Sequence, residues 1–418
     1  MIQQTPQLIL ALEPPVGPRD PKVVLRVYHS EEDYFNAKRE PAPEYKVELP
    51  HPFKETALMD PGGWRKKPRA MGPSQELGQR MWENLPETVR NEALAGSPNK
   101  PQRVAILSTA TGIDDVPWEW LNDPSGLRIA ATDSVRFVRL SPSLYATPPL
   151  TVVQPVRVLI VLTNPKDERL LRGDIEVDTV SRGLMNNPDY EIKQLLEPRL
   201  DALKRELEWS PNIIHYIGHA GISRTKGNLI LHDEHDGTHW LSANQISRYI
   251  PSSVRLLCLS TCVTAENYQI GGLSKFAHCP SEVSLPTTIV NQYALEQAEA
   301  ATFWSRFYPA MIRHEGNVVE AFHKARMAVH DANPDSCGWA SFSLVVRDGI
   351  GHPLRISGKA EHKGRVDAEI KAQWATRLAN NLATRMPSLG DDAADHFEKS
   401  IADETARVED LEREIDKY

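Results

Sequence analysis

The sequence predicts an α/β protein built on a mostly parallel sheet with helices on both faces. From residue 156 onward, short β-branched and leucine-rich runs alternate with helical patterns of about a dozen residues, the rhythm of a parallel sheet with crossover helices. Several runs are apolar throughout, among them "VRVLIVLT" (156–163) and "VRLLCLS" (254–260), as strands covered on both faces must be. A length of 418 residues, 40% hydrophobic and 25% charged, suits a globular chain of two or three domains with a sizeable core.

Taken in order, residues 1–73 read as a small β-rich N-terminal extension and linker. The runs "LILAL" and "VVLRVY" are strand-like, broken by Pro14, Pro15, Pro18 and Pro21, then by Pro41 and Pro43. "DPGGWRKKPRAMGP" (60–73) is a loop by its Pro, Gly and basic content, with Arg65, Lys66, Lys67 and Arg69 solvated. Residues 74–153 open the main module. Ser74 caps a helix over 74–94 that carries Leu77, Met81 and Leu85 before Pro86 interrupts it. "RVAILST" (103–109) and "SVRFVRL" (134–140) are strand-like, with "VPWEWL" between them, and Pro148, Pro149 and Pro155 mark a connector.

Residues 154–352 form the core. After the strand at 156–163 come a helix over 174–184, a strand at 190–196 and an amphipathic helix over 198–209. "NIIHYIG" (212–218) is a third strand, 228–233 and 238–242 a hairpin, and 242–250 a helix capped by Ser242. Strands at 254–260 and 286–292 follow, then helices over 296–313 and 317–330. "WASFSLVVRD" (339–348) is expected as the last strand. In residues 353–418, Ile370, Trp374, Leu378, Leu382 and Met386 recur every four positions. Beyond Pro387, residues Phe397, Ile401, Val408, Leu411 and Ile415 fit heptad a/d positions, with Glu404 interrupting. Two helices follow from this, the second a short coiled coil, packed on their own body or offered to a regulatory protein partner.

A formal net charge of −8 argues against a basic nucleic-acid-binding sleeve. No run approaches the roughly 18 apolar residues of a spanning helix. "MIQQTPQLILALEPP" lacks the basic start and long apolar stretch of a secretory signal, so a cytoplasmic protein is expected. Cys258, Cys262, Cys279 and Cys337 are too sparse for a disulfide scaffold. A zinc site is a rival reading, with His215, His219, His278 and Cys279 close by, but no knuckle spacing joins two cysteines to two histidines. No metal or cofactor is expected. A nucleotide-binding sheet is disfavoured as well, because neither G-x-G-x-x-G nor G-x-x-x-x-G-K-[ST] occurs.

In open α/β sheets the reactive groups lie outside the carboxyl ends of the strands. His219 falls just past "NIIHYIG" and Cys262 just past "VRLLCLS". On neighbouring strands, roughly 5 Å apart, the two would be within reach of each other. A thiol beside an imidazole is the minimum equipment for nucleophilic catalysis, since the base supplies the thiolate. Gly218 and Gly221 bracket His219 and allow close backbone approach, and the N–H of Cys262 is a natural oxyanion donor. Cys258, within its strand, is expected to be an inert core cysteine.

At these residues the sequence resembles a known family. "IIHYIGHAGI", "LSANQIS", "RLLCLSTCVTAEN" and "FWSRFYPAMIRHEGNVVEAFHKAR" look like successive blocks of CHAT domains, members of the caspase-like (clan CD) cysteine peptidases. "VPWEWL" followed by "VRFVRLSPSL" resembles the segment that precedes the catalytic block. The likeness covers about 74–350. It implies a caspase-like, mostly parallel sheet, with His219 as general base and Cys262 as nucleophile. Peptide-bond hydrolysis would then run through an acyl-enzyme, without metal. The family usually shows His-Gly at the histidine, whereas here Ala220 follows, its main-chain N–H carried over as an oxyanion donor. Caspases bind an acidic P1 side chain with an arginine after the first strand. Arg172 in "LLRGDIEVD" is the matching candidate, while Asp174 or Glu176 would favour a basic P1; acids at a helix start also suit the dipole without any ligand. The expected activity is cleavage of a protein substrate, switched by a partner or ligand in bacterial signalling or anti-phage defence. The alternative is a catalytically silent fold serving as a protein-interaction module.

Overall fold

The computed structural model describes residues 7–13, 22–29, 43–48, 71–108, 116–141, 150–168, 171–185, 187–223, 226–242, 245–246, 248–263, 287–292, 295–347 and 354–357. Residues 60–70 of the loop expected at 60–73, and the helices expected within 358–418, lie outside these residues; residues 71–73 open the first helix, so Ser74 lies within that helix and does not cap it.

One sheet of thirteen strands organises the described chain. One half contains β7 (Val156–Leu162), β8 (Tyr190–Leu196), β9 (Ile213–Ser223), β12 (Leu256–Val263) and β13 (Thr287–Asn291). These pair in the order β8-β7-β9-β12-β13, every neighbour parallel. The other half contains β1 (Gln7–Glu13), β2 (Lys22–Tyr28), β3 (Glu44–Glu48), β4 (Gln102–Ser108) and β5 (Val135–Ser141). Here β1, β4 and β5 run parallel, while β2 and β3 add antiparallel at the edge. The strand β14 (Phe342–Arg347) joins the halves, antiparallel to β13 and parallel to β5. The strands of residues 7–48 thus belong to the same sheet as the core.

The hairpin expected at 228–242 is present as β10 (Lys226–His232) and β11 (Thr238–Ser242). It folds back on the far end of β9. Two expectations are corrected. β14 is not the last strand, because β15 (Leu354–Ser357) follows and pairs with β6 (Leu150–Val153) in a separate two-stranded ladder. At the start of the segment 242–250, of which 243, 244 and 247 lie outside the described residues, the expected cap runs in reverse. Gln245 Oε1 accepts from the Ser242 N–H at 2.9 Å and from its hydroxyl at 2.8 Å, the reciprocal half of a capping box.

The helices are α1 (Met71–Glu83), α2 (Glu87–Ala93), α3 (Gly173–Met185), α4 (Leu200–Leu207), α5 (Gln297–Arg313), α6 (Val318–Ala332) and the short α7 (Gly338–Ser341). Pro86 separates α1 from α2, as the fixed φ and missing donor of proline require. Helices cover both faces of the half that holds β9 and β12. On one face α3, α5 and α6 pack together over Val158, Ile160, Ile213, Ile217 and Leu256. On the other, Leu203 and Leu207 of α4 meet Leu159, Val161, Ile214 and Leu257. The period-two alternation of side chains explains this division. In α5, Phe303, Phe307 and Met311 are buried as their spacing predicts, and Phe303 stacks on Phe342 with centroids 3.8 Å apart. Each such buried side chain contributes on the order of 2–3 kcal/mol. The Asn317 side chain caps α6, accepting from the Glu320 N–H. No helix among the described residues is long and apolar enough to cross a membrane.

Candidate active site

Strands β9 and β12 outrun their neighbours. β7 pairs with β9 only as far as Ile217, and β13 pairs with β12 only as far as Leu259. Beyond those points β9 and β12 continue to pair with each other, and His219 stands opposite Cys262 in the register. The expectation that both residues lie past their strands is therefore corrected. They lie within the strands, but past the carboxyl edge of the surrounding sheet. Register partners on adjacent strands are roughly 5 Å apart. His219 is buried, only 1% exposed. The Cys262 side chain lies outside what the structure describes.

Gly218 is needed here for space. A Cβ at this position would come within 2.1 Å of Thr163 Oγ1 and 2.7 Å of Tyr216 Oη. The Tyr216 hydroxyl is packed beneath the backbone of β9, 2.8 Å from the His219 carbonyl and 2.9 Å from Thr163 Oγ1. Burial pushes the phenol pKa up, which keeps it in its hydrogen-bonding, neutral form. Ala220 buries its methyl with Leu229 and Leu231 on the α4 face. Its backbone stands in register with Val263 on one side and Leu229 on the other. In this arrangement the Ala220 N–H lies in the sheet plane between strands.

A second Cys–His pair sits four residues deeper, where Cys258 stands opposite His215. Both are fully buried. His215 Nε2 is 2.9 Å from Glu176 Oε1, and Nδ1 is 2.7 Å from Tyr308 Oη, which is itself 3.9 Å from Cys258 Sγ. The Trp304 ring meets His215 edge-on at 4.4 Å. A carboxylate can only accept, so Nε2 donates to Glu176, while the single proton of the Tyr308 hydroxyl lies within reach of both Nδ1 and Cys258 Sγ. Burial pushes the Cys258 thiol up, out of reach of ionisation at neutral pH.

This network corrects one candidate of the substrate pocket. Glu176 turns inward and is only 7% exposed, bound to His215. Arg172 and Asp174 remain at the surface at the start of α3, where they form an ion pair with each other at 3.2 Å. That pairing holds the Asp174 carboxyl below its usual range.

Sequence reasoning missed the polar framework on the β13 side. Arg139 forks onto Glu119 through two bonds of 2.9 and 2.6 Å, and both groups reach Gln292. Burial pushes the Glu119 carboxyl up, but Arg139 outweighs it and holds it below the usual range. The preceding residue, Asn291, bonds the backbone of Thr261. The one signal in the sequence was a carboxylate set between two tryptophans in "VPWEWL". Among the described residues, no cluster of three or more His, Cys, Asp or Glu is arranged to hold a metal ion.

No curated protein sequence matches the chain. Among solved structures it is similar in fold to Saccharomyces cerevisiae separase in its complex with securin. There the TM-score is 0.47 and the identity 10%, covering 84% of this chain and 30% of separase. It is also similar to gingipain R, an Arg-specific cysteine proteinase, with TM-score 0.41 and 8% identity, covering 68% of this chain and 75% of that one. The chain thus spans about a third of separase, and the likeness is one of mixed α/β architecture with a mostly parallel central sheet. The family model for the CHAT domain matches residues 74–348, from α1 through β14, and the chain belongs to the CHAT-domain family.

Proposed function

We propose that the chain is a cysteine endopeptidase that cleaves a protein substrate through Cys262 and His219. The observation that supports this reading is the register of β9 and β12, which brings a cysteine and a histidine opposite each other beyond the sheet's carboxyl edge. His219 takes the proton of the Cys262 thiol, which unaided titrates near ~8.5. The thiolate attacks the scissile carbonyl carbon, and the N–H groups of Cys262 and Ala220 bind the oxyanion. Collapse breaks the C–N bond as His219 protonates the leaving amine, and a thioester remains. Water, deprotonated by His219, then releases the carboxylic acid and restores the thiol. Because Cys262 and Ala220 both stand within the β9–β12 ladder, and Ala220 is paired with β10 as well, their part in this cycle requires the ladder around them to open.

Arg172 or Asp174, exposed at the start of α3, is the proposed reader of a charged P1 side chain. A partner acting through 358–418, or a ligand, is the proposed switch, in cytoplasmic signalling or anti-phage defence. The burial of His219 favours one rival, a silent fold used as an interaction module. Electrophile labelling of the native protein at neutral pH, with mass-spectrometric mapping of all four cysteines, separates the two. Fast modification confined to Cys262 and slowed by His219→Ala is expected. A Cys262 that reacts no faster than a free thiol overturns the peptidase reading.

A further inference from the structure

On its β13 side, β12 is held by backbone pairing only as far as Leu259, opposite Val290. Beyond that point a side chain replaces the missing strand. Asn291 Oδ1 accepts from the Thr261 N–H at 2.9 Å and from Thr261 Oγ1 at 3.2 Å, while Asn291 Nδ2 donates to the Thr261 carbonyl. The carboxamide presents one donor and one acceptor, as a peptide would, and a single residue takes both. That residue directly precedes Cys262.

The Thr261 carbonyl and the Cys262 N–H belong to one planar trans peptide, in which they point in opposite directions. A carbonyl held toward β13 therefore aims the Cys262 N–H toward β9, the strand of His219. A hydrogen bond to the carbonyl also polarises the peptide and strengthens its N–H as a donor. The clamp is rigid at its base. Asn291 is 1% exposed, its backbone pairs with Phe342 of β14, and Gln292 beside it is tied into the Glu119–Arg139 pair. Ser260, on the other side of Thr261, is tethered by Trp304 Nε1 at 3.4 Å.

We infer that Asn291 is a positioning residue for the nucleophile, setting the plane of the Thr261–Cys262 peptide and hence the direction of the Cys262 N–H. The inference rests on the assignment of Cys262 as nucleophile. Asn291→Asp keeps the shape and the acceptor for the Thr261 N–H, but it replaces the donor with an oxygen that repels the Thr261 carbonyl. Asn291→Ala, which adds no buried carboxylate, is read alongside it. Two measurements are made on the full chain: the alkylation rate of Cys262 by iodoacetamide against pH, and hydrogen exchange at the Thr261 amide by mass spectrometry.

Asn291→Ala, which removes the acceptor, is expected to exchange the Thr261 amide faster, whereas Asn291→Asp, which keeps it, is not; both are expected to alkylate Cys262 at least about tenfold more slowly, with the rate profile moved to higher pH. Faster exchange in Asn291→Ala with an unchanged alkylation profile in both variants makes Asn291 a structural residue only and overturns the inference, as does unchanged exchange in Asn291→Ala. Failure of the nucleophile assignment reads differently, as wild-type Cys262 reacting no faster than a free thiol. In that event exchange alone decides whether Asn291 sets this peptide.

Discussion

The two Cys–His register pairs of β9 and β12 differ by four residues of strand and by nearly everything around them. Cys258 and His215 lie where the sheet is continuous on both sides and helices cover the face. There every polar atom of the imidazole is occupied, by Glu176 and Tyr308, and the thiol is kept neutral by burial. Cys262 and His219 lie where β7 and β13 have already ended. On the proposed function, the same two side chains are inert in one place and reactive in the other, and reactivity follows the strand's position relative to its neighbours more than the residue pair.

The sharpest way to break this comparison is to remove one thiol at a time. Cys262→Ala and His219→Ala are each expected to lower cleavage of a protein substrate by about a thousandfold or more, as loss of one partner of a catalytic pair does. Cys258→Ala should leave the turnover rate intact. Full activity in Cys262→Ala would falsify the assignment. The next effect is on stability, and it tests whether the deep pair is held by its carboxylate. Glu176→Ala leaves His215 buried without its acceptor, and a loss of about 3 kcal/mol is expected in urea unfolding. Glu176→Gln, which still offers a carbonyl oxygen, should cost about 1 kcal/mol. Equal costs for the two variants would show that the charge, and not the hydrogen bond alone, carries the effect there. The smallest effect is that of Cys258→Ala on the same unfolding curve, about 1–2 kcal/mol for the lost buried sulfur. A larger loss would mean that Tyr308 depends on Cys258 as well as on His215.

The sheet was legible in the sequence because its strands are apolar on both faces. "VRVLIVLT" and "VRLLCLS" announce themselves by composition alone, and β9 and β12 could be taken as neighbours from their order in the chain. What stayed hidden depends on contacts distant in sequence. Glu176 opens a helix, where an acid is favourable with or without a ligand, so nothing local says that it turns inward to a histidine 39 positions away. Asn291 falls within the strand expected at 286–292, and nothing local says that its side chain continues the ladder of β12. The ends of β9 and β12 were also read too short. They were expected to stop before His219 and Thr261, whereas the two strands satisfy each other's backbone beyond the core.

The bridging strand β14 bears on how the molecule comes into being. It is made from residues 342–347, yet among the described strands it is the one that joins β13 to β5, a strand completed some two hundred residues earlier. On the ribosome the two half-sheets can grow separately, but they cannot zip together until Phe342–Arg347 has emerged. Ser343 on that strand supplies a hydroxyl to Glu119, so the framework behind Asn291 is also finished last. Pairings so distant along the chain form slowly. A nascent chain therefore carries Cys262 and His219 well before it has the scaffold around them, and if the proposed peptidase site is theirs, the order of synthesis itself delays its arming.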